Sequence, residues 1–418
     1  MDKIIINGGK KLSGTIKVSG SKNSSLPILF ATLLTDDKCK IKNVPILADI
    51  KTTVDFLNFI GKKTVRKANT VNCETSSKLN HIAPYDLVRK MRASVLVMGP
   101  LIARLGKVNV SLPGGCSIGA RPIDIHLEAF KKMGAKIELK EGYINITTDG
   151  RLKGADIEFR FASVGATENV LLASVLAEGT TRIINAAKEP EIQDLANVLI
   201  KMGAKISGAG TKIITVEGVE TLHGFTHNVI ADRIEAATYM IAAVMTKGEV
   251  TLTDVVPEHL QIVIDKLIEA GADIKTSDDV ITVKQGKELK PINIKTEIYP
   301  GFPTDVQAQW MALMCLVKGN SIVEETVFEN RFLHVCELQR LGANLKIEGR
   351  QVYIQGVKEL SGAPVMVSDL RAGAALVLAG LCAKGKTEIS RIYHLDRGYE
   401  ALEKKFRKIG ATIKRIKG

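Results

Sequence analysis

Cys116 sits in Pro113-Gly-Gly-Cys-Ser-Ile-Gly119, a loop segment with no apolar face. Glycines on both sides let the backbone fold tightly and leave the thiol uncovered. A helix start just beyond it and the nearby Arg121 would lower the thiol's pKa and raise its reactivity. No histidine has a clear place as a Cys-His protease partner; His126, on the helix after Pro122, is the nearest. A single thiol among arginines suits proton donation to a bound anion better than acyl transfer.

Cations recur near predicted helix starts: Lys22, Arg92, Arg121, Arg331, Arg371 and Arg397. Helix N-termini carry unpaired backbone donors and partial positive charge, so they attract phosphates and carboxylates. A lysine or arginine there opposes the dipole, a local cost that an anionic ligand removes. Six such settings read as an anion-binding wall. Among the acids, Asp232 and Asp369 stand where N-capping explains them. Asp305, in Phe302-Pro-Thr-Asp, is out of that register. Thr304 can supply that cap, with Gln307 completing a capping box. Asp305 is then free, held ionised by the dipole, and available as a proton acceptor.

These residues hang on a repeat. An apolar helix end, a glycine and a strand start recur at Gly61, Gly134, Gly203, Gly271, Gly342 and Gly410, about every 70 residues. That is the pattern of a helix closed by a left-handed glycine before a strand. A second motif, a long apolar helix ending in a charged or glycine turn before a β-branched strand, marks the other helix of each unit, as in Val170 to Gly179 and Tyr239 to Gly248. Each unit therefore reads as βαβαββ in an α/β fold. The second helices are apolar on nearly all sides and should be buried beneath sheets. Six units exceed one ordinary core, so three per domain is the natural division. The domains are placed at 20–229 and at 1–19 plus 230–418, with one opening strand, Lys3 to Lys17, packing on the C-terminal half and the active site in the cleft between them.

Composition narrows the classes. The chain has 418 residues and 45% hydrophobic content, ample for packed cores. No run approaches the roughly 18 apolar residues of a membrane span, and the first residues do not read as an export signal, so the cytoplasm is expected. The six cysteines form no CxxC pair or Cys/His cluster, which argues against disulfides and structural zinc. A net charge of +13 favours acidic partners. Nucleic acid is the rival partner, but aromatics are only 5% and the positive residues are spread among helix starts rather than along one stripe.

At Gly114-Gly-Cys-Ser-Ile-Gly-Ala-Arg-Pro-Ile-Asp124 the chain closely resembles the UDP-N-acetylglucosamine enolpyruvyl (1-carboxyvinyl) transferases. The likeness includes Gly20-Ser-Lys-Asn23, Met91-Arg-Ala-Ser94 and Ser163-Val-Gly-Ala-Thr167. It continues through Phe302-Pro-Thr-Asp-Val-Gln307, Glu325-Thr-Val-Phe-Glu-Asn-Arg331, Ser368-Asp-Leu-Arg371 and His394-Leu-Asp-Arg-Gly398. The resemblance implies a two-domain inside-out α/β barrel. It implies transfer of the enolpyruvyl group of phosphoenolpyruvate to the 3-hydroxyl of UDP-N-acetylglucosamine, releasing phosphate, at the start of peptidoglycan precursor synthesis.

It also implies roles. Cys116 would be the proton donor, able to form a covalent adduct with phosphoenolpyruvate, and Asp305 the base; Lys22 and Arg397 complete the catalytic set. Lys22 and Asn23 would hold phosphoenolpyruvate, with Arg121 and Arg397 on its phosphate and Arg331 and Arg371 near its carboxylate. UDP-N-acetylglucosamine would lie along Arg92, Arg121, Pro122, Ile123, Asp124, Ile125, Ser163, Val164 and Gly165, with Asp305 and Val327 at the sugar. No metal or organic cofactor, no nucleic acid, membrane or obligate protein partner is implied. The epoxide antibiotic fosfomycin is expected to alkylate Cys116. One departure stands out: several relatives carry a lysine just ahead of Ser-Val-Gly-Ala, where this chain has Phe161-Ala162 with Arg160 before them. The nearest rival is the shikimate-pathway enolpyruvyl transferase, disfavoured by the Gly-Gly-Cys loop and the Arg-Pro-Ile-Asp segment.

Overall fold

A computed structural model describes residues 2–75, 78–89, 91–112 and 123–418. All six repeat glycines adopt left-handed backbone, with φ from 90° at Gly342 to 115° at Gly61. Each lets a helix stop and the chain reverse into a strand without a Cβ clash. The second motif behaves differently in one copy. At the end of helix Arg233–Met245 the left-handed residue is Lys247, at φ 54°. Gly248 serves close approach instead, since a Cβ there would lie 2.0 Å from the Leu12 carbonyl.

The described residues form six four-stranded sheets. The chain divides into two compact units, residues 20–112 with 123–230, and residues 2–19 with 231–418, each holding three of the sheets. Within a repeat the four strands take the spatial order first, second, fourth, third. Thus Asp156–Glu158 runs parallel to Thr180–Ile184, which pairs antiparallel with Ile213–Glu217, and Lys205–Ser207 closes the edge. The sheet Ile294–Lys295, Asn320–Glu324, Gln351–Gln355, Asn344–Glu348 repeats that order in the other unit. This is the βαβαββ unit expected from the repeat.

Three sheets take a strand from elsewhere in their own unit. Thr226–Asn228, at the end of the first unit, pairs with Cys39–Lys42 near its beginning, so the third repeat closes onto the first. The opening stretch is two strands rather than one. Lys3–Asn7 lies between Lys386–Ser390 and Thr412–Ile416, and Ser13–Lys17 runs beside Glu249–Thr253.

Burial follows from sequence pattern. Strands alternate, as in Thr180–Ile184, because one face meets helices and the other water. Helix Arg233–Met245 is buried from Ile234 to Met245, helix Gln307–Met314 throughout and helix Leu370–Cys382 from Arg371 to Leu381. The apolar helices are therefore inside and the sheets outside them. A charged residue at the start of such a helix has only the helix ends and neighbouring loops to face.

Candidate active site

In the unit of residues 231–418, Asp305 lies in the 3-10 turn Thr304–Val306. Its carboxylate is shared between two buried guanidiniums. Arg331 Nη2 donates to Oδ1 at 2.7 Å, and Arg371 donates to Oδ2 from Nη2 at 2.9 Å and from Nε at 3.2 Å. Arg331 and Arg371 are 5% and 2% exposed, while Asp305 keeps 27% of its side chain in solvent. Burial by itself would raise the Asp305 pKa, but the charges of Arg371 and Arg331 outweigh it and hold the carboxyl well below the usual carboxylate range.

The expected helix dipole is therefore not what keeps Asp305 ionised. Nor does Thr304 cap the helix: Pro303 precedes the turn and no side chain caps it. The Thr304 hydroxyl instead donates to Glu325 Oε2 and accepts from Arg331 Nη1, each at 2.7 Å. Two elements aim Arg371. Asp369 caps helix Leu370–Cys382, its Oδ1 accepting from the Arg371 and Ala372 amides at 2.9 and 3.1 Å. Tyr399 presents its ring 5.5 Å from the Arg371 Cζ, a cation–π backing.

Val327 is 39% exposed, and its backbone N–H donates to Glu325 Oε1 at 2.8 Å. Arg397 ends the 3-10 turn Ile392–Arg397 rather than opening a helix; burial depresses the pKa of His394, and the Arg397 charge adds to it.

In the unit of residues 20–230, Lys22 is the first residue of helix Lys22–Ala31, capped by the Ser21 hydroxyl. Its Nζ pairs with Asp49 Oδ2 at 2.8 Å, and both side chains are at most 10% exposed. The acid relieves the opposition between lysine and helix dipole. Asn23, next in the helix, is half-buried. Arg92 opens the 3-10 turn Arg92–Val97.

Ile123, Asp124 and Ile125 lead into helix Asp124–Lys132, and Ser163 caps helix Val164–Ser174, whose first turn holds Val164 and Gly165. His126 joins these two starts. Its Nδ1 accepts from the Asn169 amide at 2.9 Å, and the ring passes Gly165 so closely that a Cβ there would sit 3.5 Å from Cε1. Arg160, in place of the lysine expected one residue on, pairs with Asp124 at 2.5 Å. Cys116, Arg121 and Pro122 lie outside the described residues.

Asp305, Arg331 and Arg371 are thus brought into contact, as are the Asp124 and Ser163 segments through His126. Sequence reasoning missed Asp49 and Glu325. Asp49 is far in sequence from the lysine it neutralises and carries no motif. Glu325 was visible as the first residue of the Glu325–Arg331 motif, but nothing in the pattern said that it is buried. Among the described cysteines, Cys39, Cys73 and Cys315 are buried packing residues, with burial pushing the Cys39 thiol up to about 11 and that of Cys315 to about 12, whereas Cys336 is exposed.

Known proteins resemble the chain along nearly its whole length. The profile of the EPSP synthase (3-phosphoshikimate 1-carboxyvinyltransferase) family matches residues 6–406. The chain is 68% identical over 416 residues to the UDP-N-acetylglucosamine 1-carboxyvinyltransferase of Endomicrobium trichonymphae, covering all of both chains. It is 53% identical, again over the whole of both, to the protein of that name from Desulfosudis oleivorans. Among solved structures, the enolpyruvyl transferase NikO from Streptomyces tendae superposes with a TM-score of 0.90 at 24% identity, covering 100% of this chain and 99% of that one. EPSP synthase from Acinetobacter baumannii gives 0.79 at 20% identity, with full coverage of both. The structural likenesses establish the inside-out α/β fold, and the full-length sequence matches establish that the chain belongs to the EPSP synthase family of enolpyruvyl (1-carboxyvinyl) transferases.

Proposed function

We propose that this chain transfers the enolpyruvyl group of phosphoenolpyruvate to the 3-hydroxyl of UDP-N-acetylglucosamine and releases phosphate. This is the first committed step of peptidoglycan precursor synthesis, carried out in the cytoplasm. The observation that carries the reading is Asp305 held between Arg331 and Arg371, in a chain 68% identical along its length to a protein named for that reaction.

The chemistry needs an acid at the methylene carbon, a base at the hydroxyl, and cations around phosphate and carboxylate. Arg331 and Arg371 take the carboxylate. Because they also hold Asp305, the incoming carboxylate competes with it for the same guanidiniums. As positive charge is drawn to the substrate, the proton affinity of Asp305 rises toward that of a working base. Lys22, Asn23, Arg121 and Arg397 surround the phosphate, and Cys116 delivers the proton to carbon.

The nucleotide sugar lies along Arg92, Arg121 to Ile125, and Ser163 to Gly165, with Val327 at the sugar. The N-terminus of helix Val164–Ser174 offers amide donors for its diphosphate. Arg160, paired to Asp124, brings a cation to the same segment.

The test is phosphate release. Wild type should release phosphate only when both substrates are present. Cys116→Ala and Asp305→Ala should each lose about 100-fold or more in kcat, the scale of general acid–base catalysis. Turnover of shikimate 3-phosphate in place of the nucleotide sugar would refute the acceptor assignment.

A further inference from the structure

Glu325 follows strand Asn320–Glu324 and is 1% exposed. A buried carboxylate persists only if donors satisfy it. Four converge here: Thr296 Oγ1 at 2.7 Å and the amides of Val327 and Phe328 at 2.8 and 3.1 Å reach Oε1, while Thr304 Oγ1 reaches Oε2 at 2.7 Å. The Thr304 hydroxyl has one proton, and Glu325, acceptor-only when ionised, takes it. The hydroxyl's lone pairs are left for Arg331 Nη1 at 2.7 Å. That bond turns the guanidinium so that Nη2 meets Asp305 Oδ1 at 2.7 Å. On its other arm, Glu325 holds the turn carrying Val327 and Phe328, and the Phe328 ring lies 5.1 Å from the Arg331 Cζ.

We propose that Glu325 is a positioning residue for the transfer. Through the Thr304 hydroxyl it orients Arg331 against Asp305, and through the two amides it presents Val327, so one buried carboxylate sets the geometry for both substrates. The proposal rests on the roles given above to Arg331, Asp305 and Val327. Glu325 touches no reacting atom; it acts through Thr304 and the turn.

Glu325→Gln keeps the shape but reverses part of the hydrogen-bond logic. An amide nitrogen facing Thr304 would donate to Oγ1 and turn its proton toward Arg331, and the flipped amide would oppose two backbone N–H groups. We expect kcat/KM for phosphoenolpyruvate to fall by up to about 100-fold, as misplacement of a catalytic group by about 1 Å can cause, and KM for the nucleotide sugar to rise. Thr304→Val, which removes only the hydroxyl arm, should reproduce the phosphoenolpyruvate defect while leaving the nucleotide-sugar KM near wild type. Thr304→Ser should restore activity, and the double variant Glu325→Gln/Thr304→Val should be no worse toward phosphoenolpyruvate than Glu325→Gln alone.

Losses that multiply in the double variant would overturn the proposal. So would a Glu325→Gln enzyme that melts earlier but turns over normally. If Glu325→Gln does not fold, the Thr304 pair decides, and Thr304→Val with wild-type kinetics sinks the idea. Wild-type activity on the two substrates is measured first: inactivity there overturns both readings, whereas an active wild type with indifferent variants overturns only this one.

Discussion

Beside Arg331 and Asp369 lies a histidine outside the proposed substrate contacts. His334 is 1% exposed, and burial depresses its pKa from the ordinary 6.5 to about 4, with Asp369 pulling it up and Arg331 pushing it down. Folded His334 therefore stays neutral while the same residue in the unfolded chain takes a proton. The consequence has a definite sign: this contribution to stability is present above pH 6.5 and is lost as pH falls toward 4, because the unfolded state then binds more protons. Asp305, with its pKa depressed, begins to lose its contribution as pH falls through the ordinary carboxylate range and loses the rest below it. Denaturant midpoints at pH 7 and pH ~4.5 should show wild type losing ground to His334→Leu as the pH drops. Parallel curves would refute the neutral, buried histidine. At this scale Cys116, the arginines and Asp305 were legible as types, since thiols, guanidiniums and carboxylates announce their chemistry. Their pairing was not: Asp305 read as free on sequence spacing, and only folding brings Arg331 and Arg371 onto it.

Secondary elements position these groups through their ends. Asp369 caps helix Leu370–Cys382 with both bonds on one oxygen, and Arg371 stands in the first turn. Asp369→Ala should cost about 1 kcal/mol of stability, the usual loss on removing an N-cap, and should raise KM for phosphoenolpyruvate because Arg371 loses its support. Asp369→Asn, which keeps the acceptor, should recover most of the stability in equilibrium unfolding. Equal destabilisation by both substitutions would mean that the charge, not the cap, matters. Capping by Asp232 and Asp369 could be read from the chain because it is local, spanning two or three residues. The capping box assigned to Thr304 and Gln307 failed because tertiary partners take the hydroxyl: Arg331 donates to its oxygen and Glu325 accepts its proton.

For the whole molecule, each unit has its own core. One cluster runs from Leu26 to Val229 and the other from Ile4 to Ile413 by way of Ala231, with neither drawing on the other's segments. Separate cores support separate cooperative unfolding. Calorimetry without substrates should give a measured enthalpy larger than the van't Hoff value, or two resolved transitions. A single transition with equal enthalpies would count against it.

What the sequence alone determined about this protein is the periodic part. Six left-handed glycines, apolar helices and alternating strands obey local steric and burial rules, so the βαβαββ unit and its sixfold recurrence could be written down from the chain. The motif segments likewise identified the family without coordinates. What only the tertiary structure decided is which residues meet across long separations: Thr226–Asn228 returning to Cys39–Lys42, Lys3–Asn7 joining the last sheet, Lys22 finding Asp49, and Glu325 gathering Thr304 and Val327. The reason is physical. A repeat specifies its own geometry at short range, but a buried charge takes whatever partner the completed fold places within hydrogen-bond reach.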